Sequence, residues 1–237
     1  MSTTPAISTL QNVTQVHLAY ASLMQCASAC GQPTLGGQLF YVGELDDAGR
    51  GFAVAANIAG AATLSASAQP AAQRQSQREG AIDFLVNSLE EALRILKNEI
   101  RKCDAVAVSV SLAPVAIETE MIDRGVLPNL VRPDSEEIVR SLGINTFLSQ
   151  GAKEISAPIL TEQRLLIWAA PDEYAQNLAG FEAMLAEHLA PSDYFNRRWL
   201  RLSPRYLGPA ARQLRSVACE DDAAAALVRL LGPTLSA

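Results

Sequence analysis

Residues 38–68 place the strongest constraint on the fold of this chain. Gln38 to Val42 is a short apolar segment, and the loop 43–51 that follows contains three glycines. A small-residue helical segment spans 52–61, and a second strand-like segment spans 63–68. A strand, a glycine-containing turn, a helix and a strand in this order predict a βαβ unit with parallel strands.

The same alternation continues further along the chain. Ser88-Leu89-Glu90-Glu91 predicts a helix start in the form of a capping box. Residues 105–110 alternate small and β-branched side chains, which is typical of a buried parallel strand. Further helices are predicted from Val115 and from Asp134. We therefore expect an α/β fold, namely a Rossmann-like three-layer sandwich with a mostly parallel sheet.

The pattern changes in the last third of the chain. Arg164 to Ala170 predicts a strand, and Pro171 opens a long predicted helix. Residues 191–209 are predicted to be irregular or short-stranded, with two short helices after them. The predicted organisation is a Rossmann-like domain over 1–150 and a mainly helical, Arg-rich strand–helix extension over 151–237 that packs on it.

Charge and hydropathy exclude several classes of protein. The 237 residues carry a formal net charge of −6, which argues against a general nucleic-acid-binding surface. The amino terminus lacks the basic start of a secretory signal, and the most apolar stretch, 51–68, is too weakly hydrophobic to span a bilayer. A cytoplasmic protein without a membrane partner is expected.

Few side chains are available for metal or nucleophilic chemistry. The chain has two histidines and four cysteines, and we predict no metal site and identify no catalytic residue. Cys26 and Cys30 are four residues apart on a predicted helix, where a disulfide between them is disfavoured. The thiols are predicted to be reduced and buried. Cys103, His17 and His188 are interpreted as structural.

Residues 31–134 resemble the NAD-binding domain of urocanase (urocanate hydratase) in the order and spacing of several short motifs. The motifs are Tyr41-Val42-Gly43, Ala55-Ala56-Asn57-Ile58-Ala59-Gly60-Ala61, Ser88-Leu89-Glu90-Glu91-Ala92-Leu93, Ala105-Val106-Ala107-Val108 and Asp123-Arg124-Gly125-Val126-Leu127-Pro128-Asn129. The resemblance implies a Rossmann-like domain, a tightly held NAD that acts as an electrophile, and a homodimer.

The resemblance also implies where a cofactor would be held. The cofactor-binding candidates are Gly43, Gly49, Arg50, Gly51, Ser67 and Ser111. The three glycines would let backbone N–H groups approach a diphosphate. Ser67 stands where the family has an acidic residue for a ribose hydroxyl, and Ser111 begins the loop that is of His-Gly-Asn type in the family.

The turn between residues 43 and 51 departs from the family pattern. Urocanases have an almost all-glycine turn there, whereas this chain has Glu44, Asp46 and Asp47. These carboxylates would repel a diphosphate, so NAD binding is disfavoured although Arg50 can offset one charge. Cation binding by the three carboxylates is an alternative, but their spacing matches no calcium loop.

A basic cluster lies in the carboxyl-terminal part. Its arginines are Arg197, Arg198, Arg201, Arg205, Arg212 and Arg215, interleaved with Trp199 and Tyr206. The first four are candidates for binding a phosphate or a partner, because guanidinium groups match phosphate oxygens and aromatic rings stack on bases. The alternative interpretation is a set of intramolecular or dimer-interface ion pairs.

Three functional hypotheses follow from the sequence. The first is a urocanase-like domain without urocanate hydratase activity, which binds a small molecule or a partner as a homodimer. The second is an NAD(P)- or nucleotide-dependent enzyme, either a lyase or an oxidoreductase. Such an enzyme could be one subunit of a split urocanase-like enzyme, because 237 residues are too few for the whole catalytic core. The third is an interaction protein that uses the basic cluster to bind nucleic acid or an acidic partner.

Overall fold

The computed structural model describes residues 7–133, 141–156, 164–169, 177–208 and 214–231. The chain divides into two compact units. One, here called the α/β unit, is Leu18–Pro158, and the other, the mixed unit, combines Met1–His17 with Ile159–Ala237. The boundary between residues 150 and 151 stays a prediction.

A six-stranded parallel sheet forms the centre of the α/β unit. Its strands are β1 (Leu39–Glu44), β2 (Ala62–Ala66), β3 (Phe84–Val86), β4 (Val106–Val110), β5 (Leu130–Val131) and β6 (Lys153–Glu154). Their order across the sheet is β3-β4-β2-β1-β5-β6, with every pair parallel. The two outer strands, β3 and β6, are three and two residues long.

Helices alternate with these strands along the chain. They are α1 (Ile7–Ala29), which begins in the mixed unit, and α2 (Asp47–Ala59), α3 (Pro70–Glu79), α4 (Leu89–Lys102), α5 (Pro114–Asp123) and α6 (Leu142–Ser149). This confirms the predicted α/β, Rossmann-like fold. The helix predicted to start at Asp134 begins outside the described residues.

The two faces of the sheet differ in polarity. One face carries Leu64, Val108 and their neighbours into the main hydrophobic core, which includes side chains of α4 and α5. The opposite face of β2 and β4 carries buried small polar residues, including Thr63, Ser65 and Ser109. Side chains alternate in this way because successive residues of a strand point to opposite faces.

The predicted capping box at the start of α4 is confirmed in modified form. Ser88 Oγ accepts a hydrogen bond from the Glu91 backbone N–H at 3.3 Å. The Glu91 carboxylate accepts a second hydrogen bond at 2.9 Å from the backbone N–H of Asn87, which is one residue before the cap. Both bonds satisfy amide groups that the helix itself leaves unpaired.

The mixed unit contains an antiparallel pair of strands and three further helices in its described part. The strands are β7 (Arg164–Ala169) and β8 (Leu214–Cys219), and the helices are α7 (Leu178–Glu187), α8 (Tyr194–Tyr206) and α9 (Asp221–Leu231). The strand predicted from Arg164 is confirmed. The helix start predicted at Pro171 lies outside the described residues.

Residues 191–209 were expected to be irregular, and α8 shows that this prediction is wrong. The carboxylate of Asp193 caps the helix by accepting from the Asn196 N–H at 3.0 Å. The buried stripe of α8 contains Asn196, Trp199, Leu200 and Ser203. Pro204 lies inside the helix, and a proline at such a position normally argues against a helical prediction.

The thiols are less buried than the sequence suggested. Cys30 and Cys103 are exposed, Cys26 is half-buried, and only Cys219 is fully buried. Within the described residues, no helix is long and apolar enough to cross a membrane.

Candidate functional site

The strand order reverses beside β1. The chain passes from β1 to β2 on one side, and it later returns from β4 to place β5 on the other side of β1. In doubly wound sheets, ligands bind outside the carboxyl ends of the strands at such a reversal. The candidate site is therefore the crevice at the carboxyl ends of β1 and β5, next to the amino terminus of α2.

The turn from β1 into α2 is closed by a carboxylate of the protein itself. Gly43 has a φ of 75°, a left-handed conformation that favours glycine, and the strand pairing shifts register there. Asp46 is the N-cap of α2, and its Oδ1 accepts from the Gly49 N–H at 2.6 Å. A negative group thus already occupies the helix amino terminus, the position where a diphosphate would bind.

Arg132 completes this arrangement, and sequence reasoning missed it. Its Nη1 donates to Asp46 Oδ1 at 2.7 Å, and its Nη2 lies 3.3 Å from Oδ2 of the same carboxylate. Nη1 also lies 3.3 Å from the Glu44 carbonyl oxygen. The Arg132 side chain is 10% exposed and the Asp46 side chain is 36% exposed, so this two-pronged ion pair is partly shielded from solvent.

Gly49 admits the close packing of this turn. A Cβ atom at this position would lie 2.2 Å from the Glu44 carbonyl oxygen and 2.8 Å from Arg132 Nη1. The absence of a side chain therefore lets the turn fold onto itself. This use of the glycine needs no cofactor.

Arg50 is also engaged by carboxylates of the α/β unit. It forms an ion pair with the exposed Asp47 in the first turn of α2. Its Nε lies 3.4 Å from Glu79 Oε2 on α3. Gly51, another predicted site residue, lies one position further along α2, outside the turn. Gly43, Gly49 and Arg50 therefore lie in or beside the same turn, but the arginine is paired with carboxylates of the chain.

Ser67 and Ser111 are joined by Gln73, a second residue that sequence reasoning missed. The Gln73 amide donates to the Ser67 carbonyl at 2.9 Å and to the Val110 carbonyl at 3.0 Å. The Ser111 hydroxyl donates to Gln73 Oε1 at 3.3 Å. Ser67 itself is fully buried, and its hydroxyl accepts from the Gln69 N–H. These serines tie the ends of β2 and β4 to α3.

A buried carboxylate lies behind β1 on the opposite face of the sheet. The Tyr41 hydroxyl donates to Glu118 Oε1 at 3.0 Å, and the Ser141 hydroxyl bonds the other carboxylate oxygen. Burial, followed by the charge of Glu118, raises the pKa of Tyr41 well above its usual value. The tyrosine therefore stays protonated and serves as a hydrogen-bond donor to the carboxylate.

The two histidines occupy different environments. His17 is fully buried in the mixed unit, with its Nδ1 2.8 Å from Ser216 Oγ and its ring 4.3 Å from that of Trp199. Desolvation lowers the pKa of His17 from 6.5 to about 3, so the ring is neutral at physiological pH. His188 is exposed and bonds the Met184 carbonyl through Nδ1 at 2.9 Å.

Some arginines of the basic cluster are bonded within the mixed unit, whereas others lie along the surface of α8. Arg197 donates to the carbonyls of Ala186, Leu189 and Ala190, where it closes the end of α7. Arg215 is buried and forms an ion pair with Glu182. Trp199 is fully buried, so it cannot stack on a base as the sequence had suggested.

The remaining arginines of the cluster follow α8. Arg201 and Arg205 are exposed, and Arg198 is half-buried. The guanidinium of Arg205 lies 5.3 Å from the centre of the Tyr206 ring. Arg212 lies outside the described residues. The described residues contain no group of three or more His, Cys, Asp or Glu side chains that could hold a metal ion.

A parallel doubly wound sheet, with a helix amino terminus at the strand-order reversal, defines a Rossmann-like α/β domain. The model of the urocanase Rossmann-like domain family matches residues 14–135, about half of the chain. The chain belongs to this family. The match covers the α/β unit up to β5 and the residues that form the candidate site.

The residues of the turn do not fit the NAD that urocanases bind at this domain. A diphosphate at the amino terminus of α2 would meet the Asp46 carboxylate, which already accepts from Gly49 and from Arg132. Glu44 and Asp47 add further negative charge beside it. Bringing like charges this close is unfavourable in a partly desolvated site.

Proposed function

We propose that this protein is a binding member of the urocanase Rossmann-like family and lacks urocanate hydratase activity. The observation that carries the proposal is the ion pair of Asp46 with Arg132 at the amino terminus of α2. Together with the bond that Asp46 accepts from Gly49, this ion pair takes one backbone donor and the cation that a cofactor diphosphate would need. The ligand is a small molecule or a partner that binds without placing an anion at this helix.

The rim of the same edge supports a ligand or partner with apolar surface. Leu112 and Val115 follow β4 at the carboxyl edge and are 38% and 63% exposed. The Ser111 hydroxyl beside them is half-buried and bonds Gln73. Exposed apolar side chains next to a few fixed polar groups are typical of binding surfaces.

Thermal stability in the presence of NAD tests the proposal. A ligand that binds the folded state raises the melting temperature, so we expect no shift with NAD. The control variant is Asp46→Ser, which keeps a capping hydroxyl, removes the carboxylate and leaves Arg132 available to a phosphate. NAD that copurifies with the unaltered protein, together with hydration of urocanate by that protein, would overturn the proposal.

Arg132 favours a second candidate function, an NAD(P)- or nucleotide-dependent lyase or oxidoreductase, for example as one subunit of a split urocanase-like enzyme. Its guanidinium lies at the strand-order reversal and can pair with a phosphate in place of Asp46. This function requires that a nucleotide displaces the internal ion pair. Stabilisation of the unaltered protein by a nucleotide, lost in Arg132→Met, would support it over the first.

The homodimer that the resemblance implies and the binding role of α8 are further parts of the proposal. Native mass spectrometry of the purified protein reports both the oligomeric state and any bound small molecule. For the basic surface formed by Arg198, Arg201 and Arg205, binding to an acidic partner should weaken with added salt. Salt-independent binding would contradict a role for these arginines.

A further inference from the structure

A cavity lies at the opposite, amino-terminal edge of the sheet. It has a volume of about 370 Å³ and is lined by residues at the end of α1 and at the beginnings of β1, β5 and β6. Cys26, Cys30, Gln38, Asn129 and Lys153 are among its lining residues. All of them belong to the α/β unit, and none takes part in the candidate site described above.

Two thiols and a cation meet in this cleft. Cys30 is exposed and directly follows the last residue of α1. The ammonium of Lys153 donates to Cys30 Sγ at 3.2 Å, although the two residues are 123 positions apart in the sequence. This hydrogen bond raises the pKa of Lys153, so the lysine keeps its positive charge beside the sulfur.

The two thiols have different roles. Cys26 lies one helical turn before Cys30, whose backbone N–H donates to the Cys26 carbonyl at 3.2 Å. Burial, followed by the charge of Cys30, raises the pKa of Cys26, so Cys26 remains a thiol. Cys30 is the more exposed of the two and is in contact with the ammonium.

This arrangement suits a sulfur nucleophile. The thiolate is the reactive form of cysteine, and an adjacent cation stabilises its negative charge. The exposure of Cys30 lets a reagent reach the sulfur, and the open cleft provides space for the group that becomes attached. The Lys153 charge also attracts an anionic reagent towards the sulfur.

We propose that the cleft is a thiol modification site, at which Cys30 takes up a small anionic disulfide by thiol–disulfide exchange. The Cys30 thiolate attacks one sulfur of the reagent, and a new disulfide bond joins Cys30 to that sulfur. The disulfide bond of the reagent breaks, and its second sulfur leaves as a thiolate with the bonding electron pair. The exchange needs no other oxidant, because the reagent disulfide is reduced as Cys30 is oxidised.

The test measures the reaction of the full chain with dithiobis(nitrobenzoate), an aromatic disulfide with two carboxylates, at neutral pH. Absorbance follows the released thiolate, and peptide mapping assigns each modified cysteine. Cys103 is an internal control within the same molecule, because it is also exposed but lies outside the cleft. We expect Cys30 to react about tenfold faster than Cys103.

Variants separate the contributions of sulfur and cation. Cys30→Ser should remove the fast phase, whereas Cys103→Ser should retain it. Lys153→Met should slow the fast phase about three- to tenfold, and Lys153→Arg should largely preserve it. With neutral dithiodipyridine, the effect of Lys153→Met should be smaller because no reagent charge is attracted.

Two outcomes would overturn the proposal. One is equal reactivity of Cys30 and Cys103 in the unaltered protein, which needs no variant to fold. The other is a fast phase that persists in Cys30→Ser or that does not respond to Lys153→Met. Neither outcome bears on the ion pair of Asp46 with Arg132, so the test is independent of the proposed function.

Discussion

The two edges of the parallel sheet differ in how their basic residues are paired. At the carboxyl edge, Arg132 is 10% exposed and is held by both oxygens of Asp46. At the amino edge, Lys153 is exposed and its contact is the accessible Cys30 sulfur. Of the two cations, Lys153 is the more accessible, because Arg132 is already paired with a carboxylate of the same chain.

Replacement of Gly49 should have the largest effect on the closed edge. Gly49→Ala places a Cβ atom 2.2 Å from the Glu44 carbonyl, and backbone atoms cannot yield as a flexible side chain can. We expect a loss of about 3 kcal/mol or more in the free energy of unfolding, measured by urea denaturation. A variant as stable as the unaltered protein would show that the turn rearranges easily. It would contradict the view that the carboxyl edge is tightly closed.

Removal of the Asp46 carboxylate should have the next largest effect. Asp46→Ala abolishes the cap of α2 and leaves the shielded Arg132 without its partner. The expected loss is about 2 to 3 kcal/mol in urea denaturation. Asp47→Ala is the matched control, since that side chain is 92% exposed, and it should change stability by less than about 0.5 kcal/mol. Equal effects of the two substitutions would contradict the assigned role of Asp46.

His17 is a fully buried titratable group, in contrast to the partly exposed charges at the two sheet edges, and should make stability depend on pH. Its pKa is about 3 in the folded protein against 6.5 in the unfolded chain, so only the unfolded chain gains a proton between these values. Its contribution to stability is therefore constant above pH 6.5 and falls as the pH decreases towards 3. We expect a loss of about 2 kcal/mol at pH 5 relative to neutral pH from this residue alone.

Comparison of the unaltered protein with His17→Gln separates the contribution of the histidine to the pH dependence of stability from that of the carboxylates. His17→Gln should flatten the dependence of unfolding free energy on pH between neutral and pH 5, whatever its effect at neutral pH. Parallel curves for the unaltered protein and His17→Gln would show that the His17 ring can be protonated in the folded state.

Tyr41 offers the smallest of these effects. Tyr41→Phe removes one of two hydroxyl donors to the buried Glu118 carboxylate while it keeps the aromatic ring that packs on Phe147. The expected loss is about 1 to 2 kcal/mol in urea denaturation. Tyr194→Phe, at a side chain that is 73% exposed, is the control and should be neutral. A neutral Tyr41→Phe would mean that Glu118 does not depend on this donor.

The sequence was sufficient for the fold wherever hydropathy followed a regular period. The segment around β1 was predicted from a short continuous apolar run, and β4 from alternating small and β-branched side chains. Helix α4 was predicted from its capping box and from apolar side chains that repeat every third to fourth residue. Helix α3 was not predicted, since its buried positions are Gln73 and Ser76 and it has no apolar stripe. Helix α8 was predicted as irregular for a different reason, because Pro204 lies inside it and proline usually interrupts a helix.

The site could be predicted only in part. The turn glycines and the three carboxylates are adjacent in the sequence, so their conflict with a diphosphate was visible there. Arg132 was not visible, because its partner Asp46 is 86 residues away and is reached only through the parallel pairing of β1 with β5. A basic residue directly after a strand that lies beside β1 is the signal that could have indicated it.

The short outer strands of the sheet limit how two copies of this chain could associate. With three residues in β3 and two in β6, these strands offer few backbone groups for pairing with another strand. A homodimer built by continuing the sheet from one copy into the next would gain few hydrogen bonds at either strand. We therefore expect a dimer formed through the α/β unit to rely on contacts between side chains, and its stability to respond to surface substitutions on helices.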